Sequence, residues 1–517
     1  MKRRRLSVSG FIFSLCTASA AWLLGSCAEG YDAPDGFDMG VRNTQMVTPI
    51  QDSISFVMST DGKSATISWP LVPGADGHEV KFTNIDDPDN PVSVFDGIVD
   101  GSKMKVSIQE DSKYYFSIRT LGNKKLGNKD DDTVTDSVFT TGVPTIATLP
   151  SGTVLNEYFK ENPLDTLDGE WAIDLEAGGE YFLTDSLDFG INQLTLRGNK
   201  ARRPVITVQG LGTIYMCGGI KIKYINFDCS ESNTTAIVGM SPKEHCPDYI
   251  LSQNLGYTRG GSLINGIYIV LNPIYISHCW FKDLPRALVS DGGRGGLNNA
   301  SGTDCAYWNV TVDDCIVQGK NTSGEGTFCL QRKGRNIKNL TLSNSTFCNV
   351  EDNDQAYFLR YSNQSNANPE KVWGDVNSVM KSQSITISHC TLSKVYTKQK
   401  FVNNLNANGQ VLSIDHSIFY DINSVRQLPR FGGNKTFKFN FWWGITQIDN
   451  EDKTQKDTGG SPFAFCDFDP QYGDVLKSMD FSKPNGGLEF TPGEYQMISN
   501  NAGDPRWLPN GGSTDEE

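Results

Sequence analysis

The sequence lacks the signatures of several common protein classes. Its twelve cysteines include no CxxC pair of the kind found in zinc sites. Acidic residues outnumber basic ones, giving a formal net charge of −14 and a pI of about 4.9, which argues against nucleic acid as a partner. No Gly-rich phosphate loop and no nucleophile-elbow sequence is present. These absences argue against zinc-binding, nucleic-acid-binding and nucleotide-binding proteins and against serine hydrolases.

Long apolar runs are also missing beyond residue 26, and the first one is too short to span a membrane. Residues 1–26 combine a basic start with a short apolar stretch, which predicts an export signal. Leu24-Gly25-Ser26-Cys27 resembles the lipobox of bacterial lipoproteins, which implies lipidation of Cys27 and a membrane anchor; the alternative is an ordinary signal-peptidase site. The acidic tether 27–45 resembles surface-export tags of Bacteroidetes lipoproteins, which implies an outer-membrane protein facing the cell exterior.

The composition is rich in Gly, Asn, Ser and Thr, which favours an all-β protein with many turns. Between 46 and 143, short alternating segments predict a β-sandwich. The run ATISWPLVPGADGHEVKF resembles fibronectin type III modules, although His78 replaces the usual Tyr. In this interpretation Trp69 is buried between two sheets. Residues 144–170 are predicted to be a connection and N-terminal cap.

From 171 to 510 the sequence repeats irregularly, and the predicted fold is a right-handed parallel β-helix. Six pieces align: IKYINF, ISHCWF, VDDCIV, LSNSTF, ISHCTL and IDHSIF, starting at 222, 276, 312, 342, 387 and 414. They resemble the repeat unit of the pectate-lyase-like superfamily, in which two strands flank a tight bend. Residues 502–510 are predicted to cap the last coil, and 511–517 to be disordered.

Two positions of this repeat carry groups that invite a functional interpretation. Position four holds small residues that predict an interior ladder rather than a disulfide or metal set: Cys279, Cys315, Ser345, Cys390 and Ser417. Position three is predicted to be a stack that stabilises the bend: His278, Asn344, His389 and His416. Asp313-Asp314 resembles the paired acids of polygalacturonases, and Asp415-His416 resembles an element of one pectate lyase family. Both fall on the bend, so we interpret both as structural.

Basic residues recur in a different segment of successive coils. We expect the segments 285–293, 328–334, 356–362, 400–405 and 427–433 to stack into one sheet with a cationic stripe. A row of arginine forks suits a row of carboxylates; the alternative is a ladder of surface salt bridges. The predicted glycan-binding residues are Arg286, Gln331, Arg332, Arg360, Tyr361, Asn403, Asn404 and Arg430.

Two functions follow from this stripe. The layout resembles surface lipoproteins of Bacteroidetes glycan-uptake systems, which implies capture of an acidic, pectin-like polysaccharide beside an outer-membrane transporter. The alternative is a polysaccharide lyase that cleaves a polyuronate by β-elimination, with Lys333 as base and Arg332 and Arg360 neutralising the uronate. A lyase of this superfamily often uses Ca²⁺, for which Asp291, Glu351, Asp352 and Asp354 are candidate ligands.

Overall fold

The computed structural model describes a large part of the chain and forms two compact units. The described residues are 41–60, 62–291, 304–320, 326–330, 336–349, 357–361, 372–374, 382–397, 400–403, 410–422, 434–444, 463–467, 479–493 and 495–509. The first unit lies within Met1–Thr83, Ser93–Gln109 and Tyr114–Phe139, and the second within Asn84–Val92, Glu110–Lys113 and Thr140–Glu517. None of the described helices is long and apolar enough to cross a membrane.

The first unit contains two sheets, of three strands in the order β1-β2-β5 and four in the order β4-β3-β6-β7. The strands are β1 (Ser55–Met58), β2 (Ser64–Ser68), β3 (Ala75–Asn84), β4 (Val92–Val99), β5 (Lys103–Ser107), β6 (Lys113–Gly122) and β7 (Thr135–Thr140). Trp69 is 4% exposed within an apolar core, and its ring meets that of His78 edge-on at 5.4 Å. The kinship to fibronectin type III modules stays a prediction.

The second unit is built from coils of three parallel strands, as in a parallel β-helix. The first array pairs β9 (Glu170–Leu175), β12 (Gln193–Arg197), β15 (Ile220–Lys223), β21 (Ile274–Ser277), β24 (Asp304–Asp313), β27 (Asn336–Ser343), β30 (Gln383–Ser388), β33 (Gln410–Asp415) and the start of β35 (Asn434–Trp443).

The second array continues the coils: β10 (Glu180–Leu183), β13 (Val205–Gly210), β16 (Asn226–Ser232), β22 (Trp280–Leu284), β25 (Ile316–Gly319), β28 (Thr346–Asn349), β31 (Thr391–Ser393), β34 (Ile418–Tyr420), the end of β35, and β36 (Phe463–Asp467). The third sheet is separate and has seven strands: β11 (Ser186–Asp188), β14 (Thr213–Met216), β17 (Ala236–Met240), β23 (Ala287–Ser290), β26 (Phe328–Leu330), β29 (Tyr357–Tyr361) and β32 (Lys400–Asn403).

A few further elements complete the described part of the second unit. Strand β8 (Thr145–Leu149) pairs with β9, β18 (Thr258–Arg259) with β19 (Ser262–Leu263), and β20 (Ile267–Val270) with the start of β24. The α-helices are α1 (Leu155–Glu161) and α2 (Tyr495–Ser499). The 3₁₀ turns within the described residues of both units are Gln51–Ser53, Lys124–Leu126, Lys243–His245, Asp248–Ile250, Pro484–Gly487 and Pro505–Trp507.

The strand register confirms the repeat that was aligned from the sequence. The first residues of all six pieces pair across the first array in the order Ile222, Ile276, Val312, Leu342, Ile387 and Ile414. Each of these side chains is 0% exposed. Because an in-register parallel stack places like residues over like residues, their apolar side chains form one continuous interior column.

The bend between the two arrays explains positions three and four. Position three has a positive φ, between 45° and 59°, at Tyr224, His278, Asp314, Asn344, His389, His416 and Phe439. Position four points inward and is 0% exposed at Ile225, Cys279, Cys315, Ser345, Cys390, Ser417 and Asn440. The predicted interior ladder is confirmed: the N–H of Cys315 donates to Ser345 Oγ at 3.0 Å, and that of Cys390 to Ser417 Oγ at 3.2 Å.

The prediction that residues 502–510 cap the last coil is wrong. This segment lies along the outer face of the second array, where Trp507 packs with Ile316 and Cys348 and its Nε1 donates to Thr346 Oγ1 at 2.6 Å. Arg506 donates to the carbonyl oxygen of Cys315 at 3.0 Å. The physical reason is that outward positions of the second array are apolar in these coils and need cover from water.

Candidate functional site

The third sheet is where the sequence placed the cationic stripe. Its strand register defines an outer row of Asp188, Tyr215, Gly239, Ser290, Cys329, Arg360 and Asn403. The residue before each described member from Asp188 to Arg360 belongs to the interior core, as Leu187, Ile214, Val238, Val289, Phe328 and Leu359 show. Because side chains alternate along a strand, the row lies on the outside of the sheet.

Arg360 and Asn403 are neighbours in the register of this row. They are paired residues on the adjacent strands β29 and β32. The Arg360 side chain is half-buried, and its guanidinium carbon lies 5.3 Å above the ring of Tyr357. Stacking on an aromatic ring restricts the orientation of the guanidinium. A carboxylate is the group that matches the planar guanidinium fork best.

The stripe is shorter than the sequence suggested. Arg286 lies four residues before Ser290, which is the member of the outer row on β23, so it is displaced by roughly 13 Å along the strand. It lies beside Gly319, Thr327 and Asn349 where the chain enters that strand. The middle of the row is closed, because Tyr215, Ser290 and Cys329 are each 4% exposed.

The remaining predicted residues are not placed. Gln331, Arg332, Lys333, Asn404 and Arg430 lie outside the described residues, and for Tyr361 and Asn403 only the backbone is described. The lipidation residue Cys27 also lies outside them.

A histidine and aspartate pair at the other end of the outer row was missed from the sequence. His245 Nδ1 lies 2.5 Å from Asp188 Oδ2, and Ser241 Oγ donates to Asp188 Oδ1 at 2.6 Å. The His245 side chain is 56% exposed, so its imidazole is accessible. The pair joins residues 57 positions apart, and no local motif links them. His245 lies in the 3₁₀ turn Lys243–His245, outside the strands whose repeat the sequence reveals.

The acids that resemble catalytic pairs are used structurally, as predicted. Asp314 forms a hydrogen bond with His278 Nδ1 and an ion pair with Arg506. Burial raises the pKa of Asp314, but these two partners outweigh it and hold the pKa below its ordinary value. Asp313 accepts from Ser343 Oγ at 2.7 Å. Both carboxylates are therefore engaged in contacts at the bend.

The cysteines of the ladder are chemically quiet. Burial raises the pKa of the Cys315 and Cys390 thiols well above the ordinary value, which keeps both protonated and poorly nucleophilic. Within the part of the chain that the structure describes, no group of three or more His, Cys, Asp and Glu side chains could hold a metal ion. Of the candidate Ca²⁺ ligands, only Asp291 is described, and it is 2% exposed.

Comparison with known proteins gives two family matches. Residues 1–178 match the model of DUF4992, a domain of unknown function, and residues 179–350 match that of DUF4957, also a domain of unknown function. No curated protein matches the sequence. A solved structure that matches is pectate lyase PelI from Erwinia chrysanthemi in complex with tetragalacturonic acid, with 8% identity, 77% of this chain and 86% of that chain covered, and a TM-score of 0.13. The strand pairings therefore carry the description of the fold.

Proposed function

We propose that this chain binds an acidic, uronate-containing polysaccharide at the outer row of its third sheet. The observation that carries the proposal is the register of Arg360 with Asn403, which pairs a cationic residue with an amide residue on neighbouring strands of the third sheet. Neighbouring parallel strands are ~4.8 Å apart, close to the length of one sugar ring. A polyuronate lying across the strands would present a carboxylate to Arg360 and ring hydroxyls to Asn403.

The distance between Arg360 and the pair of Asp188 and His245 favours binding over cleavage. The one exposed acid and base pair in the described outer row, Asp188 with His245, lies five strands from Arg360. That separation is about 24 Å at the usual strand spacing, so the pair cannot act on a sugar whose carboxylate Arg360 holds. A lyase reaction, with Lys333 as base and Ca²⁺ as a possible cofactor, is the second candidate.

The cellular setting belongs to the same proposal. A lipid on Cys27, an acidic tether and an N-terminal sandwich would display the solenoid at the outer surface of the outer membrane, where a glycan transporter would receive the captured chain. The predicted lipobox and the acidic residues after it support this placement.

The test is retention of the full-length mature protein in gels that contain polygalacturonate. We expect Arg360→Ala to weaken the apparent Kd by about tenfold, the loss of roughly one charge-assisted hydrogen bond. Arg259→Ala, on the exposed hairpin strand β18, is the matched control and should retain full binding. Added salt should weaken the wild type more than Arg360→Ala.

Two results would contradict the proposal. Equal retention of Arg360→Ala and the wild type would remove Arg360 from the site, and equal retention in neutral galactan would remove the need for a carboxylate. Absorbance of unsaturated products, followed with and without calcium, separates binding from cleavage. A rise that Lys333→Ala abolishes would establish the lyase.

A further inference from the structure

A half-buried arginine on another face of the solenoid lacks the partner that its neighbours have. Among the described residues, Arg203 forms no ion pair, and its Nη1 is buried without a hydrogen-bond partner. Two other cations of this unit lie close to a carboxylate: Arg197 Nε lies 2.8 Å from Asp174, and Lys282 Nζ lies 3.0 Å from Asp228. Since withdrawing a charge from water is costly, an unpaired one of this kind points to a ligand.

The residues around Arg203 come from three successive coils. Val205, two residues after Arg203, pairs with Asn226, and Asn226 pairs with Trp280. The guanidinium carbon of Arg203 lies 5.1 Å over the Trp280 ring, so the side chain reaches across the intermediate coil. On another side Trp280 contacts Phe481, with 6.4 Å between ring centroids.

Asn226 supplies an independent observation. It is 5% exposed, and its side-chain oxygen Oδ1 has no hydrogen-bond donor within the described chain. A buried amide oxygen without a donor is uncommon in folded proteins and asks for an explanation. The register places Asn226 on the coil between those of Arg203 and Trp280.

We infer that Arg203, Asn226 and Trp280 form a second sugar subsite, which takes a single uronate unit. A uronate ring carries both complements: a carboxylate that accepts from the Arg203 fork and hydroxyls that donate to Asn226 Oδ1. Because both protein atoms are covered in the free form, the guanidinium swings off Trp280 to admit the ring, and the sugar takes its place on the indole face. The choice of a uronate rests on the proposed function.

The experiment uses full-length mature protein labelled with 5-fluorotryptophan, with the Trp280 ¹⁹F resonance assigned through Trp280→Phe. We expect galacturonate, but not galactose, to shift this resonance, and Arg203→Ala to weaken the response at least about tenfold, one charge-assisted contact. Arg203→Lys, which keeps the charge but loses the fork, should fall between. Arg202→Ala is the matched control, since the Arg202 side chain is 47% exposed.

Each outcome decides the matter. The subsite is refuted if galacturonate does not shift the Trp280 resonance, or if the shift is equal in Arg203→Ala and Arg202→Ala. In that case Arg203 only covers the indole. If the resonance responds while polygalacturonate gels fail to retain the wild type, the subsite stands and the proposed function falls. If the gels retain the wild type while galacturonate leaves the Trp280 resonance unchanged, the proposed function stands and the subsite falls.

Discussion

Positions three and four of the bend are adjacent in sequence, yet they obey opposite constraints. Position three has a fixed backbone, because φ is positive in every coil named above, but its side chain varies from Tyr and His to Asp, Asn and Phe. Position four has ordinary backbone but a restricted interior volume, filled mainly by Cys and Ser at 0% exposure. Repetition in this solenoid therefore conserves geometry at one position and size at the other.

The largest expected effect comes from placing a charge in the interior ladder. Cys315→Asp should lower the free energy of unfolding of the solenoid by about 3 kcal/mol or more, because a carboxylate on the inward side of the bend loses its hydration. Thermal unfolding followed by calorimetry measures the change. Cys315→Ser is the control and should cost about 1 kcal/mol at most, the scale of a typical hydrogen-bond change, since Ser345 and Ser417 already occupy the equivalent place. Similar melting of the two variants would show that the interior ladder tolerates a charge.

A smaller effect is expected at position three. His389 has φ of 52°, a conformation that costs a β-branched residue about 1–2 kcal/mol. His389→Val should destabilise the solenoid by that amount in the same calorimetric assay. His389→Asn should be close to neutral, because Asn tolerates this conformation and Asn344 already adopts it. If Val and Asn behaved alike, the constraint on the backbone would be disproved.

A third effect is expected in the pH dependence of stability, and it is measured as a slope of the unfolding free energy against pH. Asp504 accepts a hydrogen bond from Thr346 and lies 3.0 Å from Arg506, which also pairs with position-three Asp314. Burial raises the pKa of Asp504 to about 7, outweighing the opposing charge of Arg506. A carboxyl whose folded pKa is raised stabilises the fold below its unfolded value, 3.8, and that contribution is lost as the pH rises towards 7.

Asp504→Asn should remove this decline, which has a slope of at most about 1.4 kcal/mol per pH unit. Melting temperatures of the variant and the wild type, measured between pH 4 and 7, supply the comparison. Parallel curves for the two proteins would show that Asp504 does not keep its proton in the folded state.

The repeat was predictable from the sequence, whereas the contacts between distant segments were not. Two signals located the six aligned strands: the alternation of apolar residues and the small residue at position four. Both can be read because the inward positions of each coil are visible in that coil's own sequence. The pairing of Asp188 with His245 and the approach of Arg203 to Trp280 depend on how many residues each loop inserts. Arg286 was assigned to the same row as Arg360 because a segment alignment fixes which strand a residue joins but not its offset along it.

The segment that ends in Trp507 links the stability of the solenoid to contacts between parts of the chain that are far apart in sequence. Its hydrogen bonds with the solenoid join residues between 87 and 192 positions apart, and loop closure of that span is slow and late in folding. Until the segment docks, the outer face of the second array that contains Ile316 and Ile418 is an apolar surface exposed to water. Such a surface is prone to self-association. A nascent chain shortened before residue 479 should therefore aggregate even though every coil it needs is already made.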